Sequence, residues 1–578
     1  YVFDLKWWEN PDPESYVFDL KWCLKTSDID FRKLRKEQIV NHFCKNSAIT
    51  TKVGLLKSMQ SLKWFEDVDT ETFFPRCYDL SDADDFDDFI EDFKNTASEA
   101  VLKRYLAKGV NMTHDNGEPV GSLTQVKTTV ALALRVLDAK LRRSSLEHLD
   151  QDLTADDELT ADEWTQLLND TVPKIDTTGY NLQVIAAREA ATSTRSAQAK
   201  AKAPTTSGAA AWMSQLEEMT LEELKDKAEQ ILAQLKQDNP QFDINGECNT
   251  WIVKPAGKSR GRGITIKNKL SEIFKVIGFG VPGAELHWIA QKYIENPLLV
   301  NGRKFDFRQW LLVTDWNPLT LWFYNENYLR FCLHDFTLTD LDDPFAHLCN
   351  NSIQKDQEGF EEFQNESMWT MQQFVDMVKE EHGSSDIWDN KILPSLKKAA
   401  LWGAMCGQGH LDSRKNSCEL YGYDFMLDED YNVWLIEINC SPAMDFSTPV
   451  TERLCPMVLE DTIKVIVDHH DSLKKKKKDE EPASTGGWDM LFKGDTEVAH
   501  PIASFGERFL CKGDQINIRK MVNAKATPKK NKKPEALQAL PSPSPQAESK
   551  EGGALSVVGA SSPLTSPQSQ AVKSPGGS

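Results

Sequence analysis

The stretch YGYDFMLDEDYNVWLIEIN, residues 421–439, decides the fold because it reads as two strands joined by a tight turn. Polar DEDYN, residues 428–432, separates two runs rich in aromatic and aliphatic side chains, which is the pattern of a hairpin. Symmetrical pairing about position 430 places Asp424 within one residue of the position opposite Glu437. Asn439 lies two residues after Glu437 and therefore on the same face. Three oxygen ligands thus converge at one end of the hairpin.

This set of ligands indicates a site for a hard cation. Mg²⁺ prefers carboxylate and amide oxygens and often bridges phosphates. Two carboxylates directly across neighbouring strands repel each other unless a cation lies between them. A purely structural role therefore explains the pattern less well, and we predict that Asp424, Glu437 and Asn439 ligate Mg²⁺.

Upstream of the hairpin, QKYIENPLLVNGRKFDFRQWLLV (291–313) contains alternating charged and aromatic residues. On an extended strand, Lys304, Asp306 and Arg308 point to one face, and the two intervening phenylalanines point to the other, into the core. The phenylalanines alone require only a strand. The charged face is either part of a site or a salt-bridged exterior.

Further upstream, WIVKPAGKSRGRGI (251–264) reads as a strand, a loop of small and basic residues, and apolar text again. A Walker A motif is excluded because it requires glycine where Ile252 stands. What remains is a Gly/Ser hairpin able to place backbone N–H groups and cations over an anion. From 251 to 310, eleven Lys/Arg oppose four acidic residues, which gives +7 (11 − 4). Both a phosphate-binding site and an ordinary basic surface are consistent with this excess of positive charge.

Composition limits the class of protein. The chain has 578 residues, 40% of them hydrophobic, and sixteen tryptophans, which excludes a wholly disordered chain. No apolar run approaches the ~18 residues of a membrane span, so we expect no membrane association. The net charge of −21 argues against a general nucleic-acid binder, and an acidic partner must therefore meet a local basic surface.

The cysteines indicate a reducing compartment. Eleven cysteines, an odd number, are widely spaced and include no C-x-x-C pair that could begin a zinc or redox site. We therefore expect reduced thiols and a cytoplasmic protein.

Strands and helices alternate from 251 to about 470, which predicts an α+β enzyme core. Thr220 and Glu223 form the signature of a capping box ahead of a helix. We predict an aberrant N-terminus at 1–27, because the chain opens at Tyr1 and YVFDLKW occurs twice there. An N-terminal globular domain is predicted at 28–108, followed by a central region at 109–250 with helices and a flexible loop at 192–210, and by a catalytic domain at 251–470. The remaining chain is predicted to form a charged loop at 471–487, a segment packing on the core at 488–523 and a disordered tail at 524–578.

Taken in order, the Gly hairpin with its cations, the extended QKYI segment and the late Asp…Glu-x-Asn set resemble an ATP-grasp ligase. More closely, WIVKPAGKSRGRGI, QKYIENPLLVNGRKFDFRQW, HLCN…QK and YDFML…LIEIN resemble the tubulin tyrosine ligase-like family. FRKLRKEQIVNHF…TKVGL…FFPRCY looks most like its monoglycylase branch. The resemblance spans roughly residues 28–470. It implies an α+β fold with an ATP-grasp core, preceding N-terminal and central domains, a helical insertion and a disordered C-terminal tail.

The activity that this resemblance implies is ATP-dependent attachment of glycine to the γ-carboxylate of glutamates in tubulin C-terminal tails, through an acyl-phosphate. The implied cofactors are ATP and Mg²⁺, and the implied partners are tubulin tails, hence microtubules, and free glycine. A monomer in the cytoplasm and cytoskeleton, at the cilium or axoneme, is expected, with no nucleic-acid or membrane partner. Two alternatives stay open: a polyglutamylase of the same family, and a non-catalytic microtubule-binding protein.

The resemblance also implies roles for individual residues. Asp424, Glu437 and Asn439 would hold Mg²⁺, and Arg260, Arg308 and Arg330 would be catalytic, with Arg330 on the α-carboxylate of the amino-acid donor. One departure from the family pattern is Cys349, where relatives commonly carry threonine in HLTN. The implied nucleotide-binding residues are Lys254 and Lys304 at the phosphates, Gln291, Lys292, Tyr293 and Ile294 at adenine, and Arg260, Gly261, Asp306, Cys349 and Asn350 around them.

Overall fold

A computed structural model describes residues 17–64, 66–114, 117–144, 159–170, 219–279, 287–470, 472 and 482–498. The first YVFDLKW copy, the predicted loop at 192–210 and the predicted tail at 524–578 lie outside these residues. Most of the predicted charged loop and everything after 498 also lie outside them. The described residues form a mixed helix-and-sheet fold with three sheets.

The strands follow one another along the described chain as β1 (Leu20–Lys21), β2 (Ile39–Val40), β3 (Cys77–Asp79), β4 (Trp251–Pro255), β5 (Thr265–Lys267), β6 (Trp288–Lys292), β7 (Leu299–Val300), β8 (Arg303–Trp316), β9 (Leu319–Tyr324), β10 (Tyr328–Phe331), β11 (Met368–Thr370), β12 (Glu419–Leu427), β13 (Val433–Cys440) and β14 (Trp488–Lys493).

The α-helices are α1 (Ser47–Thr50), α2 (Lys52–Leu62), α3 (Ala83–Lys108), α4 (Leu123–Ser144), α5 (Ala161–Leu168), α6 (Leu221–Asp238), α7 (Leu270–Val276), α8 (Pro344–His347), α9 (Asn351–Gln354), α10 (Phe360–Phe363), α11 (Met371–His382), α12 (Leu393–Met405) and α13 (Pro449–Ile463). None of the described helices combines the length and apolarity that crossing a membrane requires.

The largest sheet has eight strands built around the long strand β8. β8 pairs antiparallel with β10 on one side and with β12 on the other, and the hairpin partner β13 follows β12. Phe305 and Phe307 are buried in the main hydrophobic core, as the alternating pattern predicts. Because these two phenylalanines are buried in the core, the three charged side chains on the opposite face of β8 point away from that core, toward the candidate site.

The predicted hairpin is confirmed. β12 and β13 are antiparallel, with Asp424 directly opposite Glu437 and Gly422 opposite Asn439. The turn forms because the Asp428 carboxylate accepts hydrogen bonds from the backbone N–H groups of residues 430 and 432, at 3.0 and 2.9 Å. A side chain that binds the turn backbone fixes both the turn and the strand register.

A four-stranded sheet, in the order β3-β6-β4-β5, faces this hairpin across a cleft. β4 and β5 are antiparallel, which confirms the hairpin predicted around residues 256–264. β3 comes from the region before residue 108 and pairs with β6, so Cys77 lies opposite Gln291. Contacts therefore cross the domain boundaries expected at 108 and 250.

Helices α3, α4, α5 and α6 pack around a second hydrophobic cluster. The capping box predicted for α6 is confirmed: Thr220 Oγ1 accepts from the N–H of Glu223, and the Glu223 carboxylate accepts from the N–H of Thr220, at 3.2 and 2.7 Å. Such a box satisfies two backbone groups that a helix N-terminus otherwise leaves without a partner.

A buried ion pair ties the N-terminal region to the eight-stranded sheet. His42 Nδ1 lies 2.9 Å from Glu419 Oε1, and both side chains are buried. The second ring nitrogen bonds the carbonyl of Cys23 at 2.9 Å. Burial acts to lower the pKa of His42, but its hydrogen bonds to Cys23 and Glu419 outweigh burial and raise the pKa to about 10. The imidazolium therefore persists in the folded protein at neutral pH.

Replacing His42 by alanine is expected to lower the free energy of unfolding by about 3 kcal/mol near neutral pH, because Glu419 is left buried without its counter-charge. The folded pKa of about 10 exceeds the usual value of about 6.5. The imidazolium therefore contributes fully below about pH 6.5, and its contribution is lost as pH rises toward 10. The difference in Tm between wild type and variant should shrink from about pH 6 to about pH 10.

His410→Ala, a change at an exposed histidine, is the matched control. Thermal unfolding followed by intrinsic fluorescence across that pH range measures the difference. Parallel Tm profiles for wild type and His42→Ala would contradict the assignment of a buried imidazolium.

Candidate active site

The cleft between the four-stranded sheet and the β12–β13 hairpin contains two adjoining cavities, of about 250 and about 70 Å³. Each cavity has its own further lining, described below. The side chains common to both are Lys254, Ile264, Gln291, Asn350, Ile436 and Glu437.

The smaller cavity joins an apolar slot to charged groups. Ile252, Ile294 and Met426 supply apolar walls, and Lys304 and Asp306 line the same space. A narrow apolar slot beside buried cations suits a planar heterocycle that carries phosphates. The structure thus brings the segment predicted to hold adenine together with the strand predicted to reach the phosphates.

Lys254 reaches this cavity from β4. Its Nζ donates a hydrogen bond to Gln291 Oε1 at 2.7 Å, between the neighbouring strands β4 and β6. Burial lowers the pKa of Lys254, and the nearby Glu437 carboxylate acts in the opposite direction. A phosphate bound at this ammonium would offset the cost of its burial.

The charge of the Lys292 side chain is paired within the protein. Its ammonium is fully buried, 2.7 Å from Glu295 Oε1 and 2.8 Å from the carbonyl of Thr250. Glu295 also accepts from the backbone N–H groups of Cys248 and Thr250, at 2.8 and 2.6 Å. Although the residue borders the smaller cavity, its charge is already paired within the protein and is not available to a ligand.

Lys304 is positioned by two neighbours in the cavity wall. Its Nζ donates to the carbonyl oxygen of His347 at 2.6 Å and lies 4.7 Å from the ring centroid of Tyr293. The Tyr293 hydroxyl lies 3.0 Å from His347 Nδ1. Burial raises the pKa of Tyr293 to about 12, so its hydroxyl stays protonated. This cluster holds the ammonium without pairing it to a carboxylate, which leaves its charge for a ligand.

Beside the cavity, charges of alternating sign cross strands β10, β8 and β12. Arg330 contacts Asp306 through Nε and Nη2, both at 2.7 Å, and contacts Asp424 Oδ2 at 2.9 Å. Arg308 Nε contacts Asp424 Oδ1 at 2.6 Å. The register causes these contacts, because Arg330 lies opposite Asp306, and Asp424 lies opposite Arg308. The alternative of a salt-bridged exterior on β8 is wrong, since the two arginines and Asp424 are buried.

The carboxyl groups of Asp306, Asp424 and Glu437 differ in the direction in which their pKa values are shifted. Burial acts to raise the pKa of Asp424, but the guanidinium groups of Arg308 and Arg330 outweigh it and hold that pKa well below its usual range. Burial raises the pKa of Glu437, and the Asp424 charge raises it further. For Asp306, burial outweighs Arg330 and the pKa is raised. Glu437 therefore gains most from a cation placed between the two strands.

The residues at the end of the hairpin fit Mg²⁺. Asn439 Nδ2 bridges Asp424 Oδ2 and Glu437 Oε1, at 3.2 and 3.1 Å. Within the described ranges, no group of three His, Cys, Asp or Glu side chains is arranged to hold a metal. A third protein ligand beside Asp424 and Glu437 would be the Asn439 amide, turned so that its oxygen instead of Nδ2 faces them. Two carboxylates and an amide oxygen form a donor set for a hard cation.

The loop between β4 and β5 lies against the residues that follow α8. Arg260 and Gly261 both have positive φ, 60° and 72°, and the carbonyl of Arg260 accepts from Ser352 Oγ at 3.1 Å. A Cβ added at Gly261 would come within 2.3 Å of Ile353 Cδ1 and 3.1 Å of Asn350 Oδ1. Glycine is therefore required for the close approach, which brings Arg260 and Asn350 to the larger cavity.

Lys52 is a lining residue that the sequence reasoning missed. It begins α2, faces the larger cavity, and its Nζ donates to the carbonyl of Lys258 at 2.5 Å. Burial lowers the pKa of Lys52, and Glu437 acts in the opposite direction. The signal available was the TKVGL motif at 51–55. Nothing in its spacing indicated a contact with a loop about two hundred residues later.

Cys349 lies in the wall of the smaller cavity. Its Sγ is 3.4 Å from Cys332 Sγ. This hydrogen bond and burial raise the pKa of the Cys349 thiol, so the group is a neutral, compact part of the wall. No disulfide joins the ten cysteines that the structure describes.

Comparison with known proteins identifies one family and several relatives. The model of the tubulin-tyrosine ligase family matches residues 187–475, half of the chain. Tubulin glycylase 3C of Tetrahymena thermophila is 38% identical over 553 residues, 90% of this chain and 50% of the relative.

Two vertebrate relatives are similarly close. Tubulin monoglycylase TTLL3 of Danio rerio is 35% identical, over 81% of this chain and 58% of its own. Protein monoglycylase TTLL8 of Homo sapiens is 35% identical, over 82% of this chain and 55% of its own. The chain thus spans about half the length of the curated relatives that it matches.

Proposed function

The chain belongs to the tubulin-tyrosine ligase family, and from this premise we propose that it is an ATP-dependent ligase that attaches glycine to glutamate γ-carboxylates in tubulin C-terminal tails. The observation that carries the proposal is the facing pair Asp424 and Glu437 with Asn439, beside a cavity lined by Lys254 and Lys304, two buried lysines that form no ion pair with any described carboxylate. Only an anionic, metal-dependent ligand makes use of both halves of this arrangement.

The chemistry requires the groups that line the cleft. A carboxylate is a poor electrophile, so its oxygen first attacks the γ-phosphorus of ATP, the bond to the β-phosphate oxygen breaks and ADP leaves. The amine of glycine then attacks the acyl carbon, and phosphate leaves as the amide forms. Negative charge builds on phosphoryl oxygens in the first step, where Lys254 and Lys304 would neutralise it.

Asp424, Glu437 and Asn439 are proposed to hold Mg²⁺. When bound there, Mg²⁺ supplies positive charge to the transferring phosphoryl group. Arg308 and Arg330 keep Asp424 ionised and oriented, since both guanidinium groups contact its oxygens. The carboxylate is therefore ionised before a cation binds, and Asn439 Nδ2 would leave Asp424 Oδ2 to make room for the cation.

Arg330 is proposed to bind the α-carboxylate of the donor amino acid. In the structure Nε and Nη2 of this guanidinium contact Asp306 and Asp424, so a donor carboxylate would bind through Nη1 or take the place of Asp306. Arg260 is proposed for the acyl-phosphate, because it lines the larger cavity on a loop that borders both cavities through Gly261 and Ile264. Adenine is proposed to lie along residues 291–294, with Asp306, Cys349 and Asn350 around the nucleotide.

The polyglutamylase alternative shares these residues, and the similarity to tubulin glycylases and monoglycylases favours glycine over it. The non-catalytic alternative predicts loss of metal ligands, whereas all three stand in place. We further propose a monomer associated with microtubules in the cytoplasm, at the cilium or axoneme, with no nucleic-acid or membrane partner.

Incubation of purified tubulin with the protein, ATP, Mg²⁺ and equal concentrations of glycine, glutamate and tyrosine is expected to add glycine almost alone. Excluding a bulky side chain is easier than recognising a hydrogen atom, so we expect a preference of about a hundredfold. Mass spectrometry of tubulin peptides measures the product. Omission of ATP is the control, and equal incorporation of glutamate would refute the donor while leaving the family assignment intact.

A further inference from the structure

Two loops distant in sequence meet at one surface of the N-terminal region. Residues 31–36 and 413–416 together carry six Lys or Arg side chains. We define the basic patch as the five of these that are exposed: Arg32, Lys33, Arg35, Lys36 and Lys415.

The sixth cation, Arg414, holds the two loops together. Its Nη2 donates to the carbonyls of Arg35 and Gln38, at 2.7 and 3.0 Å, and its Nη1 donates to the carbonyl of Asn416 at 3.0 Å. Asn416 Nδ2 donates to the carbonyl of Lys36 at 2.7 Å. The side chains of the basic patch therefore stand on a backbone that is fixed by several hydrogen bonds.

Part of the charge of the basic patch is available to a partner. Arg32 and Lys33 approach Asp30, and Lys415 pairs with Asp315. By contrast, no described residue forms a side-chain ion pair or hydrogen bond with the Arg35 guanidinium or the Lys36 ammonium. Two further acids flank these segments, Glu37 beside Lys36 and Asp412 paired with Lys45.

The patch is connected to the cleft by a short path. The bridge between Cys44 and Asp412 lies next to the second loop, and α1 adds only one helical turn, about 6 Å, before Thr51 and Lys52 enter the cleft wall. Lys415 of the basic patch precedes Asp424 by nine residues, which sets an upper limit of about 30 Å on the distance between their backbones. An extended polypeptide covers this distance with about nine or ten residues.

We propose that the basic patch binds a second run of carboxylates on the same acidic polypeptide whose glutamate is modified in the cleft. This rests on the proposed function for the choice of polypeptide. Charge complementarity carries it, because the chain as a whole is −21 and an acidic segment needs a local basic surface. Acidic residues lie among the cations of the basic patch and would repel a rigid polyanion of uniform charge. A flexible peptide suits this mixed surface better.

The test compares two fluorescent acidic peptides that contain the same acceptor glutamate, one of about six residues and one of about sixteen, of which only the longer can reach from cleft to patch. The full chain is used as wild type, as Arg35→Glu/Lys36→Glu, and as Lys225→Glu/Lys379→Glu. The last variant is the control, because it makes the same charge change at exposed lysines of α6 and α11. Fluorescence anisotropy gives Kd for each peptide, and steady-state assays with ATP and glycine give KM.

For Arg35→Glu/Lys36→Glu we expect the Kd of the long peptide to rise about tenfold, with less than twofold change for the short peptide. The control should match wild type with both peptides, and added salt should weaken wild-type binding of the long peptide selectively. Equal long-peptide Kd values in the two variants would overturn the proposal. An equal rise with both peptides would also overturn it, since the residues would then act on the cleft or the fold.

The outcomes separate this proposal from the proposed function. Binding of the long peptide that depends on the patch, without glycine incorporation, would leave the patch standing and refute the donor or the reaction. If the patch variant instead loses binding only to anionic lipid vesicles or single-stranded RNA, the patch serves a different macromolecule and the proposal is wrong.

Discussion

Glu437→Gln is expected to reduce ATP-dependent ligation by about a thousandfold or more while leaving the protein folded. The substitution keeps the size of the side chain and removes one of the two charges that face each other across β12 and β13. Burial and Asp424 raise the pKa of Glu437, so its ionised form is held at a cost that Lys254 and Asn439 offset only in part and that a bound cation would offset further. The variant should therefore bind Mg²⁺ poorly and still unfold at or above the wild-type Tm.

Glu429→Gln is the matched control, because this residue lies in the turn of the same hairpin and is exposed. Glycine incorporation into tubulin and thermal unfolding are both measured. Wild-type turnover in Glu437→Gln would refute the metal site. A Tm several degrees below wild type would refute the view that the two carboxylates repel each other in the unliganded protein.

The second large effect is expected for Lys304→Met, which should weaken nucleotide binding about 10- to 100-fold. Methionine retains most of the apolar stem and removes the ammonium, which the carbonyl of His347 and the ring of Tyr293 position in the smaller cavity. The interaction that would be lost is a charge-assisted contact between phosphate and a buried ammonium. Isothermal titration calorimetry with Mg²⁺ and a non-hydrolysable ATP analogue measures it.

Lys379→Met, at an exposed position on α11, is the control for loss of a lysine charge. A ligand without phosphates, adenosine, should bind both variants with similar affinity. Equal affinities of Lys304→Met and Lys379→Met for the ATP analogue would place the phosphates elsewhere in the cleft.

Local patterns predicted the parts of the site that lie within one or two neighbouring strands. The pair Asp424 and Glu437 was predictable because a five-residue polar turn fixes the register of a hairpin. The inward face of β8 was predictable because Phe305 and Phe307 alternate with charged residues. In both cases the prediction rests on the two-residue period of a β-strand, which decides the face on which each side chain lies.

Contacts between distant segments could not be predicted in the same way. Lys52 meets the β4–β5 loop only because α1 and α2 pack beside the cleft, and no periodicity in the chain encodes that meeting. The pairing of Arg330 with Asp306 depends on the register of β10 against β8. The ion pair between the Lys292 ammonium and Glu295, three residues later, was likewise not predicted, because it depends on the burial of both side chains.

The pairing of β3 with β6 has a practical meaning for protein engineering. Residues 187–475, the segment matched by the family model, contain β6 but neither β3 nor Lys52. A polypeptide limited to residues 187–475 would leave the backbone of β6 as an unpaired sheet edge, which promotes aggregation, and would open one wall of the cleft. The cleft is therefore not a detachable module, and gene fusions or truncations should preserve the chain from at least the His42 segment onward.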